Sequence, residues 1–340
     1  MKAIVIRAPG GPETLSYEDW PDPEPGPGEV LIRVRAAGVN HLDLFMRRGL
    51  PDVRLPVIPG GDVAGEVIAV GPGVATPLPG TAVIVSPVIT CGHCRWCLAG
   101  ADNFCPEQRQ FGRNVHGGYA ELCVVPAVNA LPKPENLDFV GAGSLPVVVT
   151  TVWHMLAKLA RVQPGETVLV LGAGSGVGSM AIQVSKLFGA RVLATAGSDA
   201  KLERALALGA DAGINHSRQD IAREARRLTD GRGVDVVFEH VGEATWEHSL
   251  RSLRRGGRIV TCGATTGNRG KLNLDALFWN NTQILGNRMG TKSDLLEALR
   301  FFADGRLHPV VDTTYPLAEA VKAHQRLEAR EQFGKVVLLP

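Results

Sequence analysis

One segment constrains this chain more than any other: "VQPGETVLVLGAGSGVGSMAIQVSKLFGARVLATAGS", Val162 to Ser198. A Pro-Gly turn leads into an apolar run, Val168 to Leu171, and glycines follow at Gly172, Gly174, Gly176 and Gly178. A helical pattern then closes at Gly189 and a second strand pattern begins. Strand, glycine turn, helix and strand open a βαβ unit, whose turn lets a pyrophosphate approach backbone amides at a helix N-terminus. Ser179 stands where a strict G-x-G-x-x-G needs its last glycine, and a purely structural glycine turn is the competing reading. Gly172, Gly174, Gly176, Val177 and Gly178 are the expected contacts to a dinucleotide.

The same grammar repeats downstream. "GADAGINH", the helical "SRQDIAREARRLTDG", the strand "VDVVFEHVG", the helix "ATWEHSLRSLRRGG" and the strand "RIVTCGATT" alternate in order. Alternation of this kind implies an α/β fold with a parallel, doubly wound sheet. His240 and Gly242 end one of its strands, where such sheets receive ligands, so a backbone contact to the nicotinamide half is expected there. After "RVLATA" the usual ribose-gripping carboxylate gives way to Gly197 and Ser198, with Lys201 nearby. That favours NADP(H) over NAD(H), because a 2′-phosphate needs no carboxylate and welcomes a hydroxyl and a cation. Asp199 argues the other way, and Lys201 also reads as a solvated first-turn residue. His216 reads either as a neighbour of the adenosine phosphate or as part of a surface turn.

With 340 residues the chain exceeds one hydrophobic core, so two domains are expected. A net charge of +2 with 21% charged residues calls for no nucleic acid, and "RRLTDGRG" and "RSLRRGG" read as solvated helix faces. The start "MKAIVIRAPGGPETL" lacks a sustained apolar core and reads as a first strand. The longest uncharged stretch, Thr167 to Val184, is broken by Gly and Ser, so no membrane span and a cytoplasmic location are expected.

Four of the 6 cysteines lie in "CGHCRWCLAGADNFC", Cys91, Cys94, Cys97 and Cys105. These spacings let one loop wrap four thiolates around a single ion, which suits tetrahedral zinc, and they match neither common ferredoxin pattern. A site with four protein ligands is closed and therefore structural. His93 and Trp96 read as a spacer and a packing residue, and Cys123 and Cys262 lie far off in apolar surroundings.

Ahead of the cysteine loop, "PDPEPGPGEVLIRVRAAGVN", "GGDVAGEVIAVGPGV" and "GTAVIVSP" are short strands with Pro and Gly turns. Taken with "HLDL", the cysteine loop, "GSGVGSMAIQVSKLFGA" and the terminal "FGKVVL", they make a set that resembles the medium-chain dehydrogenase/reductase superfamily over nearly the whole chain. The resemblance implies a GroES-like catalytic domain at 1–148 and 291–340, carrying a zinc lobe at about 91–105. It implies an NAD(P)-binding Rossmann domain at 149–290, with the active site in the cleft between them. The four-cysteine loop resembles the structural zinc site of zinc alcohol dehydrogenases. At the positions of that family's catalytic zinc ligands, however, stand Asn40, Gly61 (followed by Asp62) and Val147, the last fixed by aligning Thr151 with the family's threonine. Leu42 replaces the proton-relaying hydroxyl. An amide, a glycine and a valine cannot rebuild an open zinc site. Asn40 with Asp43 instead resembles the zinc-free quinone oxidoreductase branch, which uses NADPH and usually lacks the cysteine lobe, so the chain is a mixed type.

The expected activity is therefore NADPH-dependent hydride transfer to a quinone or an α,β-unsaturated carbonyl, with one structural zinc per chain. Two alternatives stand beside it: a zinc alcohol dehydrogenase with altered ligands, recruiting Asp62 and His41, and a catalytically silent nucleotide-binding redox sensor. Asn40, His41, Asp62 and Thr151 are the candidate catalytic residues. Asn40 reads equally as an amide satisfying loop backbone and His41 as an idle loop histidine, while Asp43 reads as a brace for that loop. His116 borders the cleft in this reading, and Trp153 and His154 read as helix packing. By the same resemblance, "NTQILGNRMG" supplies an edge strand for a homodimer, or a tetramer built from it.

Overall fold

The computed structural model describes all residues 1–340, and the chain divides into two compact units, Met1–Thr150 with Thr291–Pro340, and Thr151–Gly290.

In the first unit seven strands form one sheet. Val311–Pro316 pairs in parallel with Lys335–Leu339, and antiparallel pairing then runs through Glu29–Gly38, Asp62–Val70, Ala82–Val85 and Ala130–Pro132. Leu122–Pro126 also pairs with Glu29–Gly38. The pairing follows from period-two patterning: along Glu29–Gly38, Val30, Ile32 and Val34 turn inward while Arg33 and Arg35 face water. From Ala36 to Gly38 both faces are covered, and there the side chains shrink to alanine and glycine. Val311–Pro316 was not anticipated, because "VDTTYP" is polar and only half buried, as befits an edge strand.

One expectation is corrected in this unit. The segment after Val39, read as a loop, is a helix, His41–Gly49, with Asn40 at its N-cap. The Asp43 carboxylate reaches back to accept the Asn40 backbone N–H at 2.8 Å, so an acidic side chain three residues into the helix satisfies a donor that the helix itself cannot.

The second unit is a six-stranded sheet, parallel throughout, in the order Ala212–Asn215, Arg191–Ala196, Thr167–Val170, Val234–Glu239, Leu253–Thr261, Gln283–Gly286. Thr167–Val170 and Val234–Glu239 are buried along their whole length, which explains their largely apolar character, with Thr167, Asp235 and Glu239 at or near the strand ends. Leu169, Leu171, Leu193, Val237 and Ile259 form the centre of its core with Ile214 and Ile221. At the N-terminal ends of the central strands, Asp235 accepts the Thr167 N–H at 2.7 Å and an Arg232 guanidinium hydrogen at 3.0 Å, and also pairs with Arg254. No helix of the chain is long and apolar enough to cross a membrane.

Leu169 is fully buried at the centre of the parallel sheet. Leu169→Ala is expected to cost about 2–5 kcal/mol of unfolding free energy, read as a lowered denaturant midpoint with an unchanged slope.

Candidate functional site

The four cysteines converge. Their Sγ atoms lie within 4.8 Å of one another, with Cys94 to Cys97 at 3.5 Å, Cys105 to Cys91 at 3.6 Å and Cys91 to Cys97 at 3.9 Å. Four sulfurs at 2.3 Å from a tetrahedral zinc stand about 3.8 Å apart, so this donor set fits that ion. Trp96 packs on Phe104 and lies under the Arg95 guanidinium, and His93 turns outward to the Cys91 carbonyl. Cys123 and Cys262 stand apart, and burial pushes each thiol up to about 12, which leaves them inert.

A second cluster gathers around Asp62, which is fully buried at the start of its strand. Its Oδ1 accepts the Val147 N–H at 2.6 Å. Its Oδ2 accepts from Asn40 Nδ2 at 2.9 Å and from Lys335 Nζ at 2.7 Å. Lys335 spends its other two hydrogens on the Val39 carbonyl at 2.8 Å and on Asn40 Oδ1 at 2.6 Å. A Cβ built on Gly61 would lie 3.4 Å from Val147 Cγ2. Asn40, Gly61, Asp62 and Val147, picked out separately along the sequence, are thus neighbours in space. His41, at the first position of the helix, has its ring 6.5 Å from that of Phe45.

Lys335 is the member that sequence reasoning missed. The signal was available: a lysine opening the otherwise apolar strand "KVVLL" must be paired if that strand is internal. Behind the cluster, the Tyr119 hydroxyl donates to Asp43 Oδ2 at 2.9 Å. Burial raises the Asp43 carboxyl to about 6, against the pull of the Asn40 N–H, the Tyr119 hydroxyl and Lys335. His116 accepts the Ile58 N–H at 3.2 Å and sits edge-on to Trp20, a supporting role.

In the second unit the glycine turn has the predicted form. Gly172 has a positive φ of 55°, and its N–H donates to Thr195 Oγ1 at 3.2 Å. A Cβ on Gly178 would meet the Gly172 carbonyl oxygen at 2.3 Å, so only glycine allows the turn and the helix Gly176–Leu187 to approach this closely. Ser175 caps that helix, accepting the Gly178 N–H at 2.9 Å, while the amides of Gly176 and Val177, in its first turn, have no acceptor within the helix. Gly174 lies in the same turn. Such a terminus suits a pyrophosphate.

His240 supports the turn from beneath, its Nε2 donating to the Leu171 carbonyl at 2.8 Å, and burial lowers the ring below the ordinary histidine range, so it stays neutral. Gly242 has φ 95° and caps the following helix, and its N–H donates to Glu239 at 3.0 Å. Ser198 caps the helix Asp199–Ala207 by accepting from the Lys201 N–H at 3.4 Å. The neighbouring Asp199 carboxylate is tied to Asn215 Nδ2 at 2.7 Å and to Arg218 at 2.5 Å. His216 stands beside Gly197, 3.2 Å from where its Cβ would be. Thr151 is buried and donates to Met289 Sδ at 3.6 Å. Trp153 packs edge-on against Phe188, and His154 is buried in the helical turn that follows.

Residues 26–135 match the family model described as "Alcohol dehydrogenase GroES-like domain", and 176–304 match "Zinc-binding dehydrogenase". The chain is 35% identical to an NAD-dependent alcohol dehydrogenase of Sulfurisphaera tokodaii, over 100% of both chains. It is 34% identical to an acryloyl-coenzyme A reductase of Metallosphaera sedula, over 99% of each. A crystal structure of an NAD-dependent alcohol dehydrogenase superposes with a TM-score of 0.97 at 48% identity, covering 100% of both chains.

Two outcomes are expected at the Asp62 cluster. Lys335→Met leaves the Asp62 carboxylate buried without its cation and costs about 3–5 kcal/mol in chemical denaturation, most of which Lys335→Met with Asp62→Asn restores. Asp43 has a folded pKa of about 6, above its unfolded value of about 3.9, so the unfolded chain loses this proton first and the contribution of Asp43 to stability falls as pH rises from 4 to 6. Unfolding free energies of wild type and Asp43→Asn measured across pH 4–7 check this: their difference changes in that window and is flat above it.

Proposed function

The chain belongs to the medium-chain dehydrogenase/reductase superfamily, among its zinc-type alcohol dehydrogenase-like oxidoreductases, and from that premise we propose that it transfers hydride from NADPH to a quinone or an α,β-unsaturated carbonyl without a catalytic zinc. The observation that carries this reading is the donor set around Asp62. Where an open zinc site needs three ligands, the neighbours are an amide, a glycine and a valine, and the one carboxylate is already committed to Lys335, Asn40 and the Val147 N–H. Recruiting Asp62 to a metal would strip a buried lysine of its partner. An acryloyl group is itself an α,β-unsaturated carbonyl, so the acryloyl-coenzyme A reductase among the relatives supports the substrate class.

The bound dinucleotide supplies hydride from its nicotinamide ring, and an enone carbon is electrophilic enough to accept it without Lewis-acid help. The chain's part is positioning and stabilisation of the developing oxyanion. Lys335 is saturated, and the second Asn40 amide hydrogen makes only a long hydrogen bond, 3.4 Å, to the Gly38 carbonyl. We assign that hydrogen to the substrate oxygen, with Asp62 and Lys335 holding the amide in place. His41 is the assigned neighbour of the pyrophosphate, and Thr151 serves as a second polar contact. Gly172 to Gly178 hold the pyrophosphate. NADPH is preferred in this reading because the Asp199 carboxylate is already engaged by Asn215 and Arg218, and Ser198 and Lys201 stand where a ribose-gripping carboxylate is usual. The cysteine lobe carries one structural zinc. Gln283–Gly286 ends its sheet with an unpaired edge beside exposed Phe278 and Trp279, which suits a homodimer.

The test is joint. Expected are about one zinc per chain after purification without added metal, NADPH oxidation by quinones and enones at a higher kcat/KM than with NADH, and a loss of roughly 10–100-fold in kcat/KM for Asn40→Ala. Two zinc ions per chain with alcohol oxidation would overturn the reading in favour of the alcohol dehydrogenase activity named for the other two relatives.

A further inference from the structure

The second unit carries a recess that the proposed chemistry does not use. It measures about 910 Å³ and lies at the N-terminal ends of Val234–Glu239, Leu253–Thr261 and Gln283–Gly286. The glycine turn sits at the opposite, C-terminal edge of the same sheet. A strand the length of Leu253–Thr261, 9 residues, separates the two edges by roughly 25 Å.

Six cationic side chains line the recess, Arg226, Arg232, Arg251, Arg254, Arg255 and Lys271, against one lining carboxylate, Glu247. Their states differ. Arg226 is held rigidly by the carbonyls of Gly231, Arg251 and Leu253, none of which cancels its charge. Arg232 and Arg254 share the single carboxylate of Asp235. Arg251 approaches Asp220 only to 3.6 Å. Arg255 and Lys271 are exposed, and neither side chain pairs with a carboxylate. The floor is apolar, made by Leu250, Leu253, Ala276 and Leu277. A volume of this size, an apolar floor and a rim of only partly compensated cations are what an amphiphilic organic anion needs. The two arginine-rich runs that read as solvated helix faces supply five of these cations, so the fold gives them a common focus.

We propose that this recess binds a free organic anion with an apolar body, of the medium-chain carboxylate class, its head against Arg255 and Lys271 and its chain on Leu253 and Leu277. The site is independent of the oxidoreductase reading and of the cofactor turn.

The probe is decanoate, titrated calorimetrically into the full chain with and without saturating NADPH. Expected is saturable binding of one decanoate per chain, unaffected by NADPH, weakened by raising salt, and absent with decanol or decyltrimethylammonium. Arg255→Ser with Lys271→Ser, both at exposed side chains, weakens it at least tenfold, and Arg33→Ser on the other unit leaves it unchanged. Ala276→Glu, which adds a negative charge to the recess, weakens it too, and circular dichroism reports that each variant is folded. Equal binding of decanol, competition by NADPH, unchanged affinity in the folded double variant, or no saturable binding would each overturn the proposal. Cosedimentation with phosphatidylglycerol vesicles would overturn it in favour of a membrane surface.

Discussion

The first unit depends on a buried charge pair. Asp62 and Lys335 open neighbouring strands on either side of Glu29–Gly38, and both are almost entirely shut off from water. Removing two charges from water costs several kcal/mol per ion, and the pair repays this only if the remaining lone pairs and hydrogens are satisfied. Here they are. The three Lys335 hydrogens meet Asp62, the Asn40 amide oxygen and the Val39 carbonyl, and both Asp62 oxygens have donors. The cluster thereby fixes the end of one strand, the start of the helix His41–Gly49 and the backbone at Val147. The first two adjoin in sequence, but Asp62, Val147 and Lys335 are distant from them and from one another.

That distance explains what could be read beforehand. The second unit was legible element by element because a parallel sheet with helical crossovers writes each strand as a local apolar run and each crossover as a local helical period. The glycine turn of this unit and the cysteine lobe of the first were legible for the same reason, since the functional atoms of each lie close together in sequence. The Asp62 cluster was legible only in part. Asn40, Asp62 and Val147 were marked by what they replace in a familiar pattern, whereas Lys335, whose partners lie more than 270 residues away in sequence, carried no local mark beyond being charged in an apolar strand. The helix at His41–Gly49 was missed although Asn40 and Asp43 stand at capping spacing, because its length is only 9 residues and a loop reading also accommodates polar residues there.

The His240 side chain has a structural role at the strand end whose backbone is the expected contact to the nicotinamide half. Its place at the end of a central strand is where such sheets meet ligands, yet its ring is turned down onto the Leu171 carbonyl, against the underside of Gly172. It acts on the turn as a support, and burial keeps it neutral in spite of the neighbouring Glu239 carboxylate.

The contrast between the two metal-like clusters carries the chemical argument furthest. Four cysteines on one loop, their sulfurs within 4.8 Å of one another, suit a closed tetrahedron. Around Asp62 the opposite holds: the single carboxylate is claimed three times over by groups that cannot release it without stranding a charge. A cation entering that cluster must displace Lys335 from a nearly dry environment, so electrostatics oppose a metal there more strongly than the mere lack of ligands does. In the proposed reading the Asn40 amide, held by Asp62 and Lys335, is what the cluster offers a substrate oxygen, a group suited to an already electrophilic acceptor.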